Sequence, residues 1–365
     1  MDINLEKYKK IQFMNKSYLS YKNMPHEFRP YVMFTNAPDY KTQHVNTDEI
    51  GFRLTHDKDE KKISLVNIIK KDKCNVVIGG STVFGMGATS DAETISSHIS
   101  REGIACQNFG VRGATSHQEL LIFQNFIKFL PKIKNVYVIS GVNDLAVASQ
   151  EDSFFYPEFG FVFSEDMHLQ KFWSQYSLFS KQKWQIGKSK FFIIVDYLCR
   201  KFSLVKIFFA FLSFILPSNN FYKKNLGKSK SSFDDKVFYL KKNFSNDLRC
   251  WRALSKEFNF RIIYILQPAI RWSNKKLNQH EKFLSDNQRV SMGEKFYDKF
   301  MNKEVYQNYK QFINSQCKKN GIEFLDSNEI LDQFSEDKNF FLDLCHLTDD
   351  GNKYLAQKLI EKYEK

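Results

Sequence analysis

Paired cysteines are missing from this sequence. The six it has, Cys74, Cys106, Cys199, Cys250, Cys317 and Cys345, stand far apart and form no C-x-x-C pair. Neither a zinc site nor a disulfide framework is indicated. Cys74, Cys106 and Cys317 lie in or beside apolar segments and read as reduced core thiols. No apolar signal core follows Met1, so secretion by that route is not expected and a cytoplasmic location is. The apolar run Phe202–Leu216 is interrupted by Ser203, Lys206 and Ser213 and falls short of the roughly 20 residues of a membrane-spanning helix. Acidic residues are outnumbered, 41 against 54 Lys and Arg, giving a net charge of +13. That excess favours anionic partners. Its lysines are scattered, however, and no nucleic-acid motif accompanies them, so a solvated basic surface is expected and a nucleic-acid partner is not.

What remains is ordinary globular material. Hydrophobic residues make up 42% of the 365 positions and charged residues 26%, which excludes a disordered chain and permits one large domain or two. Residues 1–73 read as an irregular polar extension packed on the rest, with Asn46-Thr47-Asp48-Glu49-Ile50-Gly51-Phe52-Arg53 its clearest feature. Strand and helix signals then alternate. Cys74–Ile78, Ile104–Phe109, Val136–Ile139, Arg261–Leu266 and Ile322–Leu325 read as strands. Helices are expected over Ala92–Ser100, over Asp234–Phe258, over most of Gly293–Lys319, and from about Thr348 to the end. Ser116-His117-Gln118-Glu119 has capping-box form and should open another, with Leu120, Phe123, Ile127 and Leu130 on one face.

This alternation predicts an α/β/α sandwich around a mostly parallel sheet, spanning 74–365. Residues 146–232 interrupt it. They carry Phe154-Phe155-Tyr156 and the apolar stretch 191–216, with lysines on both sides. An inserted helical hairpin or cap is expected there. The alternative is a peripheral membrane contact through 191–216.

Four short blocks carry chemistry. Val76–Ile78 ends in Gly79-Gly80-Ser81-Thr82, a serine in a sharp glycine-rich turn after a strand. Such a turn can lift a hydroxyl beyond the sheet edge, where a base can reach it. A phosphate loop is the competing reading of Gly79–Gly87, but the lysine it requires is absent. Asn108–Gly113 and Ser140-Gly141-Val142-Asn143-Asp144 follow the next two strands. Near the far end, Asp343 and His346 stand three residues apart. Serine, imidazole and carboxylate are the minimum set for acyl transfer by serine. Taken singly, each block also reads as a plain turn or a surface pair. His56, His98, His117 and His280 read as structural or surface residues, and no histidine–carboxylate cluster has metal spacing.

In this order the four blocks resemble the SGNH (GDSL-type) hydrolase superfamily, over about 74–145 and 320–363. The resemblance implies a flavodoxin-like three-layer fold. It also implies Ser81 as nucleophile, His346 as base and Asp343 as its orienting acid. Ser81 N–H, Gly113 N–H and the Asn143 amide would form the oxyanion hole. The chain departs from the family at Gly80, where aspartate is usual. The expected activity is hydrolysis of an acetyl or other short acyl ester of a carbohydrate or small molecule, with no cofactor or metal. Acyl transfer to an alcohol, or a catalytically silent binding protein of the same fold, are the alternatives.

Overall fold

The computed structural model describes residues 18–29, 32–149 and 232–364. Five parallel strands form the central sheet: β1 Lys73–Gly79, β2 Cys106–Gly110, β3 Lys132–Ser140, β4 Arg261–Leu266 and β5 Glu323–Asp326. Their order is β2-β1-β3-β4-β5. This is the flavodoxin-like order, in which the chain starts near the middle of the sheet and reverses direction between β2 and β3. Each expected strand is present: β4 has the expected bounds, β1 and β3 run longer, β2 starts two residues later and ends one later, and β5 is shifted by one residue.

Alternation along the strands builds two apolar faces. Val77, Tyr137, Ile139, Ile263 and Ile265 point to one layer, where they meet Ile95 and Ile99 of helix α2 (Ile95–Ser100) and Leu355 and Leu359 of α9 (Asp349–Tyr363). Helices α3 (Ser116–Phe126), α5 (Phe233–Glu257) and α8 (Lys303–Asn320) cover the opposite face. There Phe123 packs on Trp251 and Phe244 on Tyr264. From residue 73 onward the chain also forms α1 (Ser81–Phe84), α4 (Val142–Ala148), α6 (Gln279–Met292) and α7 (Glu294–Met301). Cys74, Cys106, Cys317 and Cys345 are buried free thiols and Cys250 is exposed.

Two expectations need correction. Helix α3 is capped by Thr115, with Gln118 answering its N–H at 3.1 Å, one residue earlier than the Ser116/Glu119 pair. The reason is that Ser116 N–H is taken by Asp144, and Glu119 turns inward to Ser140. Residues 146–148 continue α4, so the interruption begins later than 146. Residues 154–156 and 191–216, with the cap or membrane contact expected of them, lie outside the described residues. Among the described residues, no helix is long and apolar enough to cross a membrane.

The polar extension is more ordered than its composition implies. It holds a short helix, Tyr18–Asn23, and two small antiparallel pairs, His26–Arg29 with Met33–Asn36 and Thr55–His56 with Lys62–Ile63. Its anchor is Arg53, which is fully buried. Arg53 Nε donates to Asp91 Oδ1 at 2.9 Å, and its other nitrogens reach Tyr21 Oη, the Phe84 and Gly85 carbonyls and the His44 carbonyl. Arg112 works the same way, donating to the carbonyls of Tyr21, Met24 and Pro25 and to Asn36 Oδ1. Removing one partner of a buried pair leaves the other charge uncompensated, at a cost of about 3–5 kcal/mol. Arg53→Met should therefore lower unfolding free energy by about that amount in urea titrations. A loss below about 1 kcal/mol would mean that Asp91 finds its solvation elsewhere.

Candidate active site

Loops at the carboxyl ends of parallel strands form the usual binding edge of such a sheet. After β1 the chain turns at Gly80 directly into α1, a single turn that begins with Ser81 and ends at the left-handed Gly85. The first backbone N–H groups of a helix have no partner within it, so Ser81 N–H is not engaged inside α1.

Ser81, Asp343 and His346 meet there although Ser81 and His346 are 265 positions apart in the chain. His346 Nε2 lies 2.7 Å from Ser81 Oγ, and Nδ1 lies 2.6 Å from Asp343 Oδ2. Asp343 Oδ1 accepts the backbone N–H groups of Cys345 and His346 at 3.1 and 3.0 Å. Burial pushes the Asp343 carboxyl up, but the His346 charge and these hydrogen bonds outweigh it and hold the group below the usual carboxylate range. A carboxylate on Nδ1 fixes the tautomer with its proton there and leaves the Nε2 lone pair for a hydroxyl proton.

Asp343, Cys345 and His346 also bring ligand-type atoms within 4.8 Å of one another. This set does not suit a metal ion. Both imidazole nitrogens and both carboxylate oxygens are already engaged, and burial pushes the Cys345 thiol well up, away from the thiolate a metal needs.

Gly113 lies in the loop after β2, and Asn143 lies in the first turn of α4 just after β3. Gly113 takes φ 78°, a conformation that side chains oppose. Asn143 Nδ2 donates to Ala114 O at 2.7 Å, which uses one amide hydrogen and leaves the second. Gly80 explains how Asn143 reaches this place. A Cβ on Gly80 would lie 2.4 Å from Asn143 Nδ2, so the amide packs directly against the glycine backbone.

One residue further on, Asp144 ties the two loops together. Its Oδ1 accepts Ser116 N–H at 2.9 Å and its Oδ2 accepts the Tyr309 hydroxyl at 3.1 Å. Burial pushes its carboxyl up to about 6 despite those bonds. Glu119 lies buried beside it and accepts from Ser140 Oγ at 3.0 Å; burial and the Asp144 charge push it well above its ordinary value. Sequence reasoning missed Asp144, Glu119 and Tyr309 as a group. Two carboxylates near β3 were visible, but their convergence was not. His56, His98 and His117 face Glu60, Glu93 and Asp247 respectively.

Two outcomes follow from this geometry. Gly80→Ala should displace Asn143 and, if that amide donates to the oxyanion, lower kcat by about 10²–10³-fold with the protein still folded. Wild-type kcat in that variant would remove Asn143 from the chemistry. For Asp144, the folded state holds the proton to about pH 6 where the unfolded chain loses it near 3.8. This stability is complete below the lower value and is lost as pH rises to the upper one, about 3 kcal/mol in all. Asp144→Asn keeps a neutral group and acceptor for Ser116. In urea titrations its stability relative to wild type should rise by about that amount between pH 4 and pH 7. Parallel profiles would show that Asp144 is not the group responsible.

No family model and no curated protein matches the sequence. Among solved structures, the chain is similar to an acetyl xylan esterase (12% identity, TM-score 0.38, covering 79% of this chain and 98% of that one). It is also similar to a member of the lipolytic G-D-S-L family from Veillonella parvula (10%, TM-score 0.41, 80% and 99%). A third is an acetylxylan esterase from Geobacillus stearothermophilus (12%, TM-score 0.38, 80% and 94%). These values are low, so the chemistry must be read from this chain's own residues.

Proposed function

We propose that this chain is a serine hydrolase of the SGNH type that removes an acetyl or other short acyl group from a carbohydrate or small-molecule alcohol. The observation that carries this reading is the continuous chain Ser81 Oγ–His346–Asp343, with contacts of 2.7 and 2.6 Å. Such distances are those of a nucleophile and base already in register.

Ser81 Oγ attacks the acyl carbon while its proton passes to His346 Nε2. Asp343 holds the ring and stabilises the imidazolium. The carbonyl oxygen takes up charge and receives the free Asn143 amide hydrogen, Gly113 N–H and Ser81 N–H. When the tetrahedral species collapses, the C–O bond to the alcohol breaks and His346 returns its proton to the departing oxygen. Water then attacks the acyl-serine, with His346 as base once more, and releases the acid and free Ser81.

The test is covalent. A fluorophosphonate should label wild-type protein at Ser81 and leave Ser81→Ala unlabelled. On acetylated sugars and p-nitrophenyl esters, Ser81→Ala should lose on the order of 10⁴-fold in kcat. Labelling at another residue, or none in folded protein, would overturn the assignment.

A further inference from the structure

We infer that Thr82 and Gln267 are positioning residues that set the spacing between Ser81 and His346, an inference that rests on the serine-hydrolase reading above. Thr82 follows Ser81 in α1 and is buried. Its hydroxyl donates to the carbonyl of Cys345, the residue before His346, at 2.9 Å. The same oxygen accepts Gln267 Nε2–H at 2.6 Å. A hydroxyl has a single proton, so the donation to Cys345 and the acceptance from Gln267 fix each other's direction.

Gln267 is itself held on both sides. It leaves the end of β4, where its N–H donates to Ser140 O at 2.9 Å, and its carbonyl accepts Asn328 Nδ2–H at 3.1 Å. Asn328 Oδ1 in turn accepts Ala269 N–H at 2.9 Å. Gln267 and Asn328 are both buried. The relay thus runs from the ends of β3 and β4, through the Gln267 amide and the Thr82 hydroxyl, to the backbone beside the base.

Neither residue touches a reacting atom. The serine and the histidine ride on separate loops, and Asp343, which orients the imidazole, belongs to the same loop as His346. It cannot set how far that loop stands from α1. The Thr82–Cys345 bond spans the two loops directly. Chemistry between groups already in contact is steeply sensitive to such spacing, and a misplacement of about 1 Å can cost about 10²-fold.

Thr82→Val preserves shape and removes both bonds; Thr82→Ser preserves both. For Thr82→Val we expect kcat to fall about 10–10²-fold with KM nearly unchanged, and fluorophosphonate labelling of Ser81 to slow in parallel. Thr82→Ser should restore both rates to within a few-fold of wild type. Gln267→Met keeps the Thr82–Cys345 bond and should give a smaller fall in kcat; it carries the test if Thr82→Val does not fold. Wild-type kcat in folded Thr82→Val, or in Gln267→Met if that variant must stand in, would overturn the inference. So would Thr82→Ser behaving like Thr82→Val. A loss confined to KM would overturn it as well, since spacing acts on the chemical step. Ser81→Ala, run alongside, separates the two readings: if it retains full activity the hydrolase reading fails, and if it is inactive while Thr82→Val is not, the positioning inference alone fails.

Discussion

A parallel sheet leaves the carbonyls at its carboxyl edge and the loops beyond it without partners of their own, and this chain meets that demand with buried guanidinium groups. Arg53 gathers the Phe84 and Gly85 carbonyls at the end of the turn that begins with Ser81. Arg112, next to Gly113, gathers three carbonyls of the extension instead. Each group has its donors spread in a rigid plane, which suits several fixed acceptors at once. Tyr21 is shared by both: its hydroxyl oxygen accepts from Arg53 and lies 2.8 Å from Gly85 O and 2.6 Å from Ala88 O, and its carbonyl serves Arg112. The loops that bear Ser81 and Gly113 are therefore clamped from outside by a segment that has no residue in the chemistry.

The opposite edge is closed by a different charge. Glu364 accepts from Asn75, Asn135 and Tyr137 and pairs with Lys134 at the amino ends of β1 and β3. The two ends of the sheet are thus tied by unlike groups, cations over carbonyls and an anion over donors. The hydrophobic layers between them supply the bulk of the burial, while these polar ties determine where the loops stand.

Much of this was legible along the chain because its cause is local. Apolar runs closed by glycine mark β1, β2 and β3, while β4 and β5 stand out by their apolar content alone. Thr348 capping α9 was equally plain, since its side chain bonds Gly351 three residues on. The blocks containing Ser81, Gly113, Asn143 and Asp343/His346 stood out by residue type, and the parallel topology gives them one edge to share. Interactions with distant partners left no such mark. Arg53 finds Asp91, Asp144 finds Tyr309, and Thr82 finds both Gln267 and Cys345 only after the sheet has formed. The Ser116/Glu119 pattern misled for the same reason: tertiary partners took both residues and moved the cap to Thr115.

The contact between Gly80 and Asn143 sets a limit on how this site can vary. Aspartate is usual at the glycine's position in the family this chain resembles, so a comparison of aligned sequences would mark Gly80 as a defect to be repaired. The coordinates argue otherwise. Space that a side chain would fill is already occupied by the Asn143 amide. A side chain at position 80 therefore requires the Asn143 amide to swing aside, while the nearest backbone atom, Ala114 O, stays at an ordinary contact distance of 3.5 Å.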